Sequence, residues 1–201
     1  MKIVVLASGG IDSALMMFMF KKEAYEVFPL YLNYNQLAES REWDACKKIC
    51  QFFSLEPFKM DIPGFGKLPS GLTDITLDIY KDAFLPTRNL IFITLGAAYA
   101  YSKSADAVAI GLLANPIFPD QTKEFIEKAG ISISTALGKH IEILAPLIDL
   151  DKRDVLQLAE KYNLPKVTYY CHSGSDTPCG KCVSCIERFA AEKSLEKIKE
   201  D

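Results

Sequence analysis

A six-residue segment near the N-terminus, Ser8-Gly9-Gly10-Ile11-Asp12-Ser13, has residue types suited to holding phosphate. It follows the apolar run Ile3 to Ala7 and precedes a stretch in which apolar residues recur at helical spacing. Two glycines let the backbone approach an anion closely, and the free N–H groups and dipole of the next helix favour negative charge. Ser8 and Ser13 add hydroxyl donors, whereas Asp12 is suited to holding a metal ion or ordering the loop. The segment predicts a phosphate-binding loop; the simpler alternative is a strand-to-helix turn with Asp12 as the helix N-cap.

Four cysteines near the other end of the sequence form a second chemical motif. They are Cys171, Cys179, Cys182 and Cys185. Four thiolates complete a closed tetrahedral zinc site and leave no open position for catalysis, so we expect a structural zinc ion. An iron–sulfur cluster is the alternative, because C-x2-C-x2-C runs also bind clusters. His172 adjoins the first cysteine and is expected at most to support the ligands.

Length, composition and charge limit the class of protein. The chain has 201 residues, of which 49% are hydrophobic, which is enough for one well-packed core. A net charge of -3 argues against a broad nucleic-acid surface. No apolar run approaches the roughly 20 residues that span a bilayer, and no signal peptide is evident, so we expect a cytoplasmic protein without membrane contact. Cys46 and Cys50, at helical spacing, are expected to be core residues.

Apolar runs alternate with amphipathic segments along most of the sequence. The predicted strands are 2–7, 26–33, 57–62, 106–113 and 141–145, and the predicted helices are 11–24, 39–54, 87–102, 120–137 and 150–162. This alternation predicts an α/β fold with a doubly wound parallel sheet, whose ligands bind beyond the carboxyl ends of the strands. The irregular stretch 63–86 is long enough to be a lid or substrate loop. Residues 1–165 are expected to form the nucleotide-binding domain, and 166–201 the cysteine segment and a final helix.

Five motifs follow one another in an order that adds specificity to these predictions. They are Ser8 to Ser13, Tyr34-Asn35-Gln36, Pro86 to Phe92, Pro146 to Lys152, and the segment from Cys179 to Arg188. Together they resemble the 7-cyano-7-deazaguanine synthase family of the ATP pyrophosphatase, or PP-loop, superfamily. Asn35 stands where that family shows glycine in Tyr-Gly-Gln, and Thr87 stands where it shows glycine in Pro-Gly-Arg-Asn. The resemblance covers most of the chain.

The resemblance implies a fold, a reaction and its cofactors. The fold is adenine nucleotide alpha hydrolase-like and Rossmann-like, with a C-terminal zinc knuckle and helix. ATP activates 7-carboxy-7-deazaguanine as an acyl adenylate, ammonia displaces AMP, and a second activation converts the amide to the nitrile, a queuosine and archaeosine precursor. Mg²⁺ accompanies ATP, zinc is structural, and the protein is a homodimer.

The resemblance also implies roles for particular residues. ATP contacts are expected from Ser8, Gly9, Gly10, Ile11, Asp12, Ser13, Arg88, Asn89 and Gly111. Asp12, Ser13, Arg88 and Lys152 are expected to be catalytic, and Tyr34, Gln36, Asn115, Phe118 and Asp120 to contact the substrate. The Arg88 guanidinium could pair with carboxylate or phosphate, and Lys152 could neutralise phosphate. Their simpler alternatives are a surface ion pair for Arg88 and a solvated position for Lys152.

One loop departs from the family pattern. After the fourth predicted strand the family shows glycine, an acidic residue and then Gly-Tyr-Pro-Asp-Cys-Arg, whereas residues 111–122 here read GLLANPIFPDQT. A carboxylate in that loop would suit the N–H donors of a guanine-like edge, and Asn115 offers only an uncharged acceptor. The identity of the acceptor, the carboxylate that ATP activates, is therefore left open. The alternatives are a relative that activates another carboxylate or stops at the amide, a tRNA-modifying enzyme, and a non-catalytic nucleotide-binding module. The presence of Asp12 and Arg88 favours an enzyme. The acidic net charge of the chain argues against a tRNA substrate.

Overall fold

Parallel strands and covering helices make up the fold. The computed structural model describes residues 1–200, with side chains for residues 1–197. The strands are β1 (Lys2–Leu6), β2 (Glu26–Asn33), β3 (Phe58–Asp61), β4 (Ala107–Ala109) and β5 (Glu142–Leu144). The helices are α1 (Ile11–Lys22), α2 (Glu39–Phe52), α3 (Arg88–Ser102), α4 (Lys123–Leu137), α5 (Lys152–Lys161) and α6 (Val183–Glu200).

The strands form one parallel sheet in the order β3-β2-β1-β4-β5. The predicted doubly wound sheet is therefore confirmed. Strand order reverses at β1, so a crevice opens between the loops that follow β1 and β4. Among the described helices, none has the length and apolar character needed to cross a membrane.

The hydrophobic core lies on both faces of the sheet. Side chains of neighbouring residues on a strand point to opposite faces. Ile3 and Val5 therefore pack with α1, α2, α5 and α6, while Val4 packs with α3 and α4. All three residues are fully buried. This explains why β1 is continuously apolar. Cys46 and Cys50 are also fully buried in the core, as expected.

The fourth strand and the fourth helix are shorter than predicted. β4 ends at Ala109 because the chain then leaves the sheet, and the N–H of Ala114 donates instead to the carbonyl of Leu150. α4 begins at Lys123 and not near residue 120, because residues 119–121 form a short 3-10 turn. Thr122 is the N-cap of α4, and its hydroxyl accepts the N–H of Phe125 at 3.1 Å.

Candidate active site

The loop between β1 and α1 has a shape that requires glycine. Gly9 has a φ of +80°, and a Cβ added there would lie 2.3 Å from the carbonyl oxygen of Glu42. The Ser13 hydroxyl donates to the Gly10 carbonyl at 2.9 Å, which closes the loop. Gly10 is the N-cap of α1, and no side chain caps this end of the helix. The N–H groups of the first turn are thus available to an anion. The alternative with Asp12 as N-cap is wrong.

Asp12 and Lys152 join the first loop to the start of α5. The Lys152 ammonium lies 2.8 Å and 2.7 Å from the two carboxylate oxygens of Asp12. The Lys152 side chain is only 12% exposed, so the alternative of a solvated lysine is wrong. Asp151 is the N-cap of α5 and accepts the N–H of Asp154, which fixes the first turn that carries the lysine. A cation is thereby held beside the phosphate loop.

Arg88 and Asn89 begin α3 at the same crevice. Asn89 is buried; its backbone N–H donates to the Asp120 carboxylate at 3.1 Å, and its side-chain amide donates to the Asp120 carbonyl at 3.0 Å. Asp120 therefore caps α3 and fixes the loop after β4. Thr87, the N-cap of α3, has a left-handed backbone with φ 59°. Burial raises the pKa of Tyr34 to about 12 against the opposing effect of Arg88, which places that guanidinium beside the phenol.

A hydrogen-bonded network lies below the crevice, between β2 and α2. The Gln36 side-chain N–H donates to the Glu42 carboxylate and to the Tyr31 hydroxyl, both at 2.9 Å. Its carbonyl oxygen accepts the backbone N–H of Tyr34 at 2.9 Å. Burial raises the pKa of Glu42, and the hydrogen bond from Gln36 opposes that rise. Glu42 was missed by the sequence reasoning, and nothing in its local sequence indicates a site residue.

The four cysteines form a cluster with the geometry of a metal site. The four Sγ atoms lie within 4.8 Å of one another, and those of Cys179 and Cys185 are 3.9 Å apart. Four sulfurs around one zinc ion, each at about 2.3 Å, would be roughly 3.8 Å apart. Burial raises the pKa of Cys171, but hydrogen bonds from Ser173 and from the N–H of Cys179 outweigh it and lower the value to about 6. Burial raises the pKa of Cys182 and Cys185, so the observation that supports a metal site is the closeness of the four sulfurs.

The cysteine segment also forms one wall of the crevice. The N–H of Tyr169 donates to the Gly9 carbonyl at 3.0 Å, so this segment is tied directly to the phosphate loop. His172 donates its backbone N–H to the Cys182 sulfur at 3.5 Å, and its Nε2 lies 2.9 Å from the Ser184 hydroxyl. Burial lowers the pKa of His172 to about 4. His172 was expected only to support the cysteines, and it faces the crevice as well.

Two adjoining cavities fill the crevice. The larger has a volume of about 260 Å³ and lies among the loops that follow β1, β2 and β4. The smaller, of about 150 Å³, lies between the loop after β4 and α6. Both are lined by Asp12, Arg88, Gly111, Leu112, Gln121, Lys152, His172 and Ser184. The two cavities therefore meet at the Asp12–Lys152 ion pair.

The residues named from the sequence divide between these cavities. Those lining the larger cavity include Ser8, Gly10, Ile11, Ser13, Tyr34, Gln36 and Asn89, and Asn115 and Phe118 line the smaller one. Gly9 and Asp120 line neither: Gly9 shapes the loop, and Asp120 caps α3. The cavity-lining residues that sequence reasoning missed include Tyr31, Glu42, Tyr169, Tyr170, His172, Ser184 and Glu187.

The whole chain matches one protein family. A family model described as queuosine biosynthesis protein QueC matches residues 2–196. The chain belongs to this family. It is 36% identical to the 7-cyano-7-deazaguanine synthase of Nautilia profundicola, with 98% of this chain and 94% of the relative covered. It is 34% identical to the synthase of the same name from a Nitratiruptor species, over the same shares of both chains.

Solved structures confirm the fold of this QueC-family member. A predicted subunit of a tRNA methyltransferase from Methanocaldococcus jannaschii matches with a TM-score of 0.61 and 16% identity, covering 80% of this chain and 76% of that one. A 4-thiouridine synthetase in complex with RNA and ATP matches with a TM-score of 0.53 and 16% identity, covering 98% of this chain and 51% of that one. At these identities the likeness shows the fold alone.

Proposed function

We propose that the protein is a 7-cyano-7-deazaguanine synthase, an ATP-dependent carbon–nitrogen ligase that makes the nitrile precursor of queuosine. The observation that supports this most directly is the meeting of the phosphate loop, the Asp12–Lys152 pair and Arg88 around one crevice. The chain matches the QueC family over residues 2–196, and its curated relatives carry the synthase name.

The chemistry follows from the need to turn a carboxylate into an acyl donor. A carboxylate oxygen of the acceptor attacks the α-phosphorus of ATP, and pyrophosphate leaves. We assign the departing pyrophosphate to the N–H groups at the start of α1, while the Ser13 hydroxyl keeps the loop closed through its hydrogen bond to the Gly10 carbonyl. Ammonia then adds to the acyl carbon, a proton is lost, and AMP leaves to give the amide. The amide oxygen attacks a second ATP in the same way, pyrophosphate leaves, and loss of AMP together with both N–H protons gives the nitrile.

Two cations of the chain offset the charge that develops in these steps. Lys152 is held at the loop by Asp12, and Arg88 opens α3 on the opposite side of the crevice. A guanidinium can pair with carboxylate or phosphate through two parallel hydrogen bonds, and an ammonium acts as a point charge. We therefore assign Arg88 to the reacting carboxylate or α-phosphate, and Lys152 to the phosphates.

Two metal ions complete the proposal. Mg²⁺ would accompany ATP and reduce the negative charge on its phosphates, and Asp12 provides a carboxylate of the type that Mg²⁺ prefers. The four cysteines fit zinc, which would hold the wall of the crevice without taking part in the chemistry. We further propose a cytoplasmic homodimer that uses ammonia.

One observation keeps a second candidate function open. The loop of residues 111–122 carries Asn115 where the family shows an acidic residue. An enzyme with the same ATP chemistry, acting on a different carboxylate or stopping at the amide, would also fit this loop. The tRNA-modifying and non-catalytic alternatives have no comparable support.

The decisive experiment supplies the purified protein with ATP, Mg²⁺, ammonia and 7-carboxy-7-deazaguanine and identifies the products by mass spectrometry. We expect the nitrile. ATP turnover with the amide as end product favours the second candidate, and absence of AMP with every carboxylate tested contradicts both. Ser13→Ala and Asp12→Ala should suppress AMP release while circular dichroism stays unchanged. Full turnover in both variants would refute the assignment of the phosphate loop.

A further inference from the structure

The smaller cavity is placed to hold the acceptor while ATP occupies the larger one. It begins at the Asp12–Lys152 pair, where the two cavities meet, and extends away from the phosphate loop. Phe118 and Ile117 give it an apolar side on the loop after β4, and Phe118 packs on Phe84 with ring centroids 5.2 Å apart. A flat ring bound on this side would present its carboxylate toward Arg88, which lines both cavities.

The loop after β4 places no charged side chain where it could bind the far edge of such a ring. The Gln121 side-chain oxygen accepts the backbone N–H groups of Ile117 and Phe118 at 2.8 Å and 2.9 Å, so it is used within the loop. Asn115 offers one neutral acceptor. A guanine-like edge instead presents two adjacent N–H donors, from the ring nitrogen and the amino group, which a carboxylate accepts together.

A carboxylate reaches the smaller cavity from the opposite side, on α6. Of the described residues that line this cavity, Asp12 and Glu187 are the acidic ones. Asp12 is held by Lys152 through both of its oxygens, whereas Glu187 lies 3.8 Å from the same ammonium and makes only the looser contact. The Glu187 side chain is 39% exposed, so it is partly withdrawn from water.

A second polar group in the wall of the smaller cavity is incompletely hydrogen-bonded. His172 lines this cavity, and its buried Nδ1 atom has no hydrogen-bond partner among the described residues. Buried polar atoms are nearly always paired in native proteins. The wall that carries the loosely paired Glu187 carboxylate therefore also contains an imidazole with an unused nitrogen.

We propose that Glu187 is the specificity-determining residue for the acceptor and accepts the ring N–H and amino donors of its guanine-like edge. The inference rests on the proposed function. It assigns the carboxylate that binds the guanine-like edge to α6, the helix that follows the cysteines, and not to the loop after β4. The altered loop then supplies the apolar side of the site through Phe118, and α6 supplies the charge.

The test compares Glu187→Gln with the wild-type protein on two acceptors, 7-carboxy-7-deazaguanine and its analogue without the 2-amino group. Glu196→Gln, an exposed glutamate on the same helix, is the matched control. Rates of AMP release give KM for each acceptor and for ATP. In Glu187→Gln, KM for the full acceptor should rise at least about tenfold, the size expected for losing a hydrogen bond to a charged group. KM for ATP should not change, and the variant should no longer prefer the full acceptor over the analogue.

The possible results separate this inference from the proposed function. Normal wild-type turnover with an unchanged acceptor KM in Glu187→Gln overturns the role of Glu187 and leaves the synthase intact. A fall in kcat that is equal for both acceptors, with a raised KM for ATP, also overturns it, because Glu187 then acts through Lys152. A wild-type protein that neither binds nor activates the 7-carboxy compound overturns both.

Discussion

At the scale of single residues, two charged groups near the crevice have contrasting surroundings. The side-chain nitrogen of Lys152 donates to both carboxylate oxygens of Asp12, beside the loop that we propose binds the ATP phosphates. Glu42 lines the larger cavity and accepts hydrogen bonds from the amide of Gln36 and the hydroxyl of Tyr31. These hydrogen bonds and the charge of Arg88 lower the pKa of Glu42 but do not offset the effect of its burial.

Glu42 should therefore give the stability of the protein a measurable pH dependence. Burial raises its pKa above the ordinary value of 4.5, so above that pH the unfolded chain has released a proton that the folded protein still binds. The free energy of unfolding must then fall as pH rises from 4.5 to the folded pKa. Glu42→Gln cannot titrate, so its stability relative to the wild type should increase across that window.

Urea denaturation of both proteins at a series of pH values measures this difference. A difference in the free energy of unfolding that is constant with pH reflects the changed hydrogen bonds. Only a change of that difference with pH reports the raised pKa of Glu42. Glu196→Gln should run parallel to the wild type. Parallel curves for Glu42→Gln as well would show that the Glu42 pKa is not raised.

At the scale of elements, two left-handed residues mark where the chain turns into the site. Asn35 follows β2 with φ 63°, and Thr87 precedes α3 with φ 59°. Asparagine adopts this conformation with little penalty, but a β-branched residue does not. Both stand where the family pattern shows glycine, and the backbone explains that preference.

Thr87→Gly should stabilise the protein by about 1 kcal/mol, because glycine removes the steric cost of the left-handed conformation. The melting temperature should rise by about 2–4 °C, as expected for that gain in a chain of this size. Asn35→Gly is the matched comparison and should change it less. Calorimetry measures both, and a lower melting temperature for Thr87→Gly would show that the threonine is not strained.

The elements were largely predictable from the sequence, and their connections were not. β2 has the predicted bounds, because a strand buried on both faces leaves a continuous apolar run. The 3-10 turn before α4 was missed, since it depends on Gln121 bonding the backbone of its own loop. The phosphate loop and the cysteine cluster were recognisable because their chemistry is local. Asp120 capping α3, and Glu187 reaching the cavity, depend on contacts between distant elements, which no local pattern encodes.

At the scale of the whole molecule, the cysteine segment and the phosphate loop form one structure. Tyr169 binds the Gly9 carbonyl, and α6 packs against α5, which carries Lys152. The residues that face the crevice from this segment, among them Tyr169, Tyr170, Ser184 and Glu187, lie close to the cysteines in sequence. A metal ion bound by the cysteines would therefore order one wall of the crevice as well as its own site.

Removing the metal should abolish ATP binding together with local structure. A structural zinc ion contributes on the order of 10 kcal/mol to the folding of its segment. Chelation, or Cys182→Ser, should lower the melting temperature and eliminate ATP binding measured by calorimetry, with about one zinc per chain lost by elemental analysis. Cys46→Ala is the control: it removes a buried thiol outside the cluster, and the four cysteines should still bind their metal ion. Iron and sulfide in the purified protein would contradict the zinc assignment.

The hydrogen bond between Tyr169 and Gly9 also has a consequence during translation. Gly9 leaves the ribosome long before its partner Tyr169, because the two residues lie far apart in the sequence. A nascent chain can build the strands around β1 early but cannot close the crevice. We therefore expect the proposed nucleotide binding only after the cysteine segment has been synthesised, and not in a truncated product that lacks this segment.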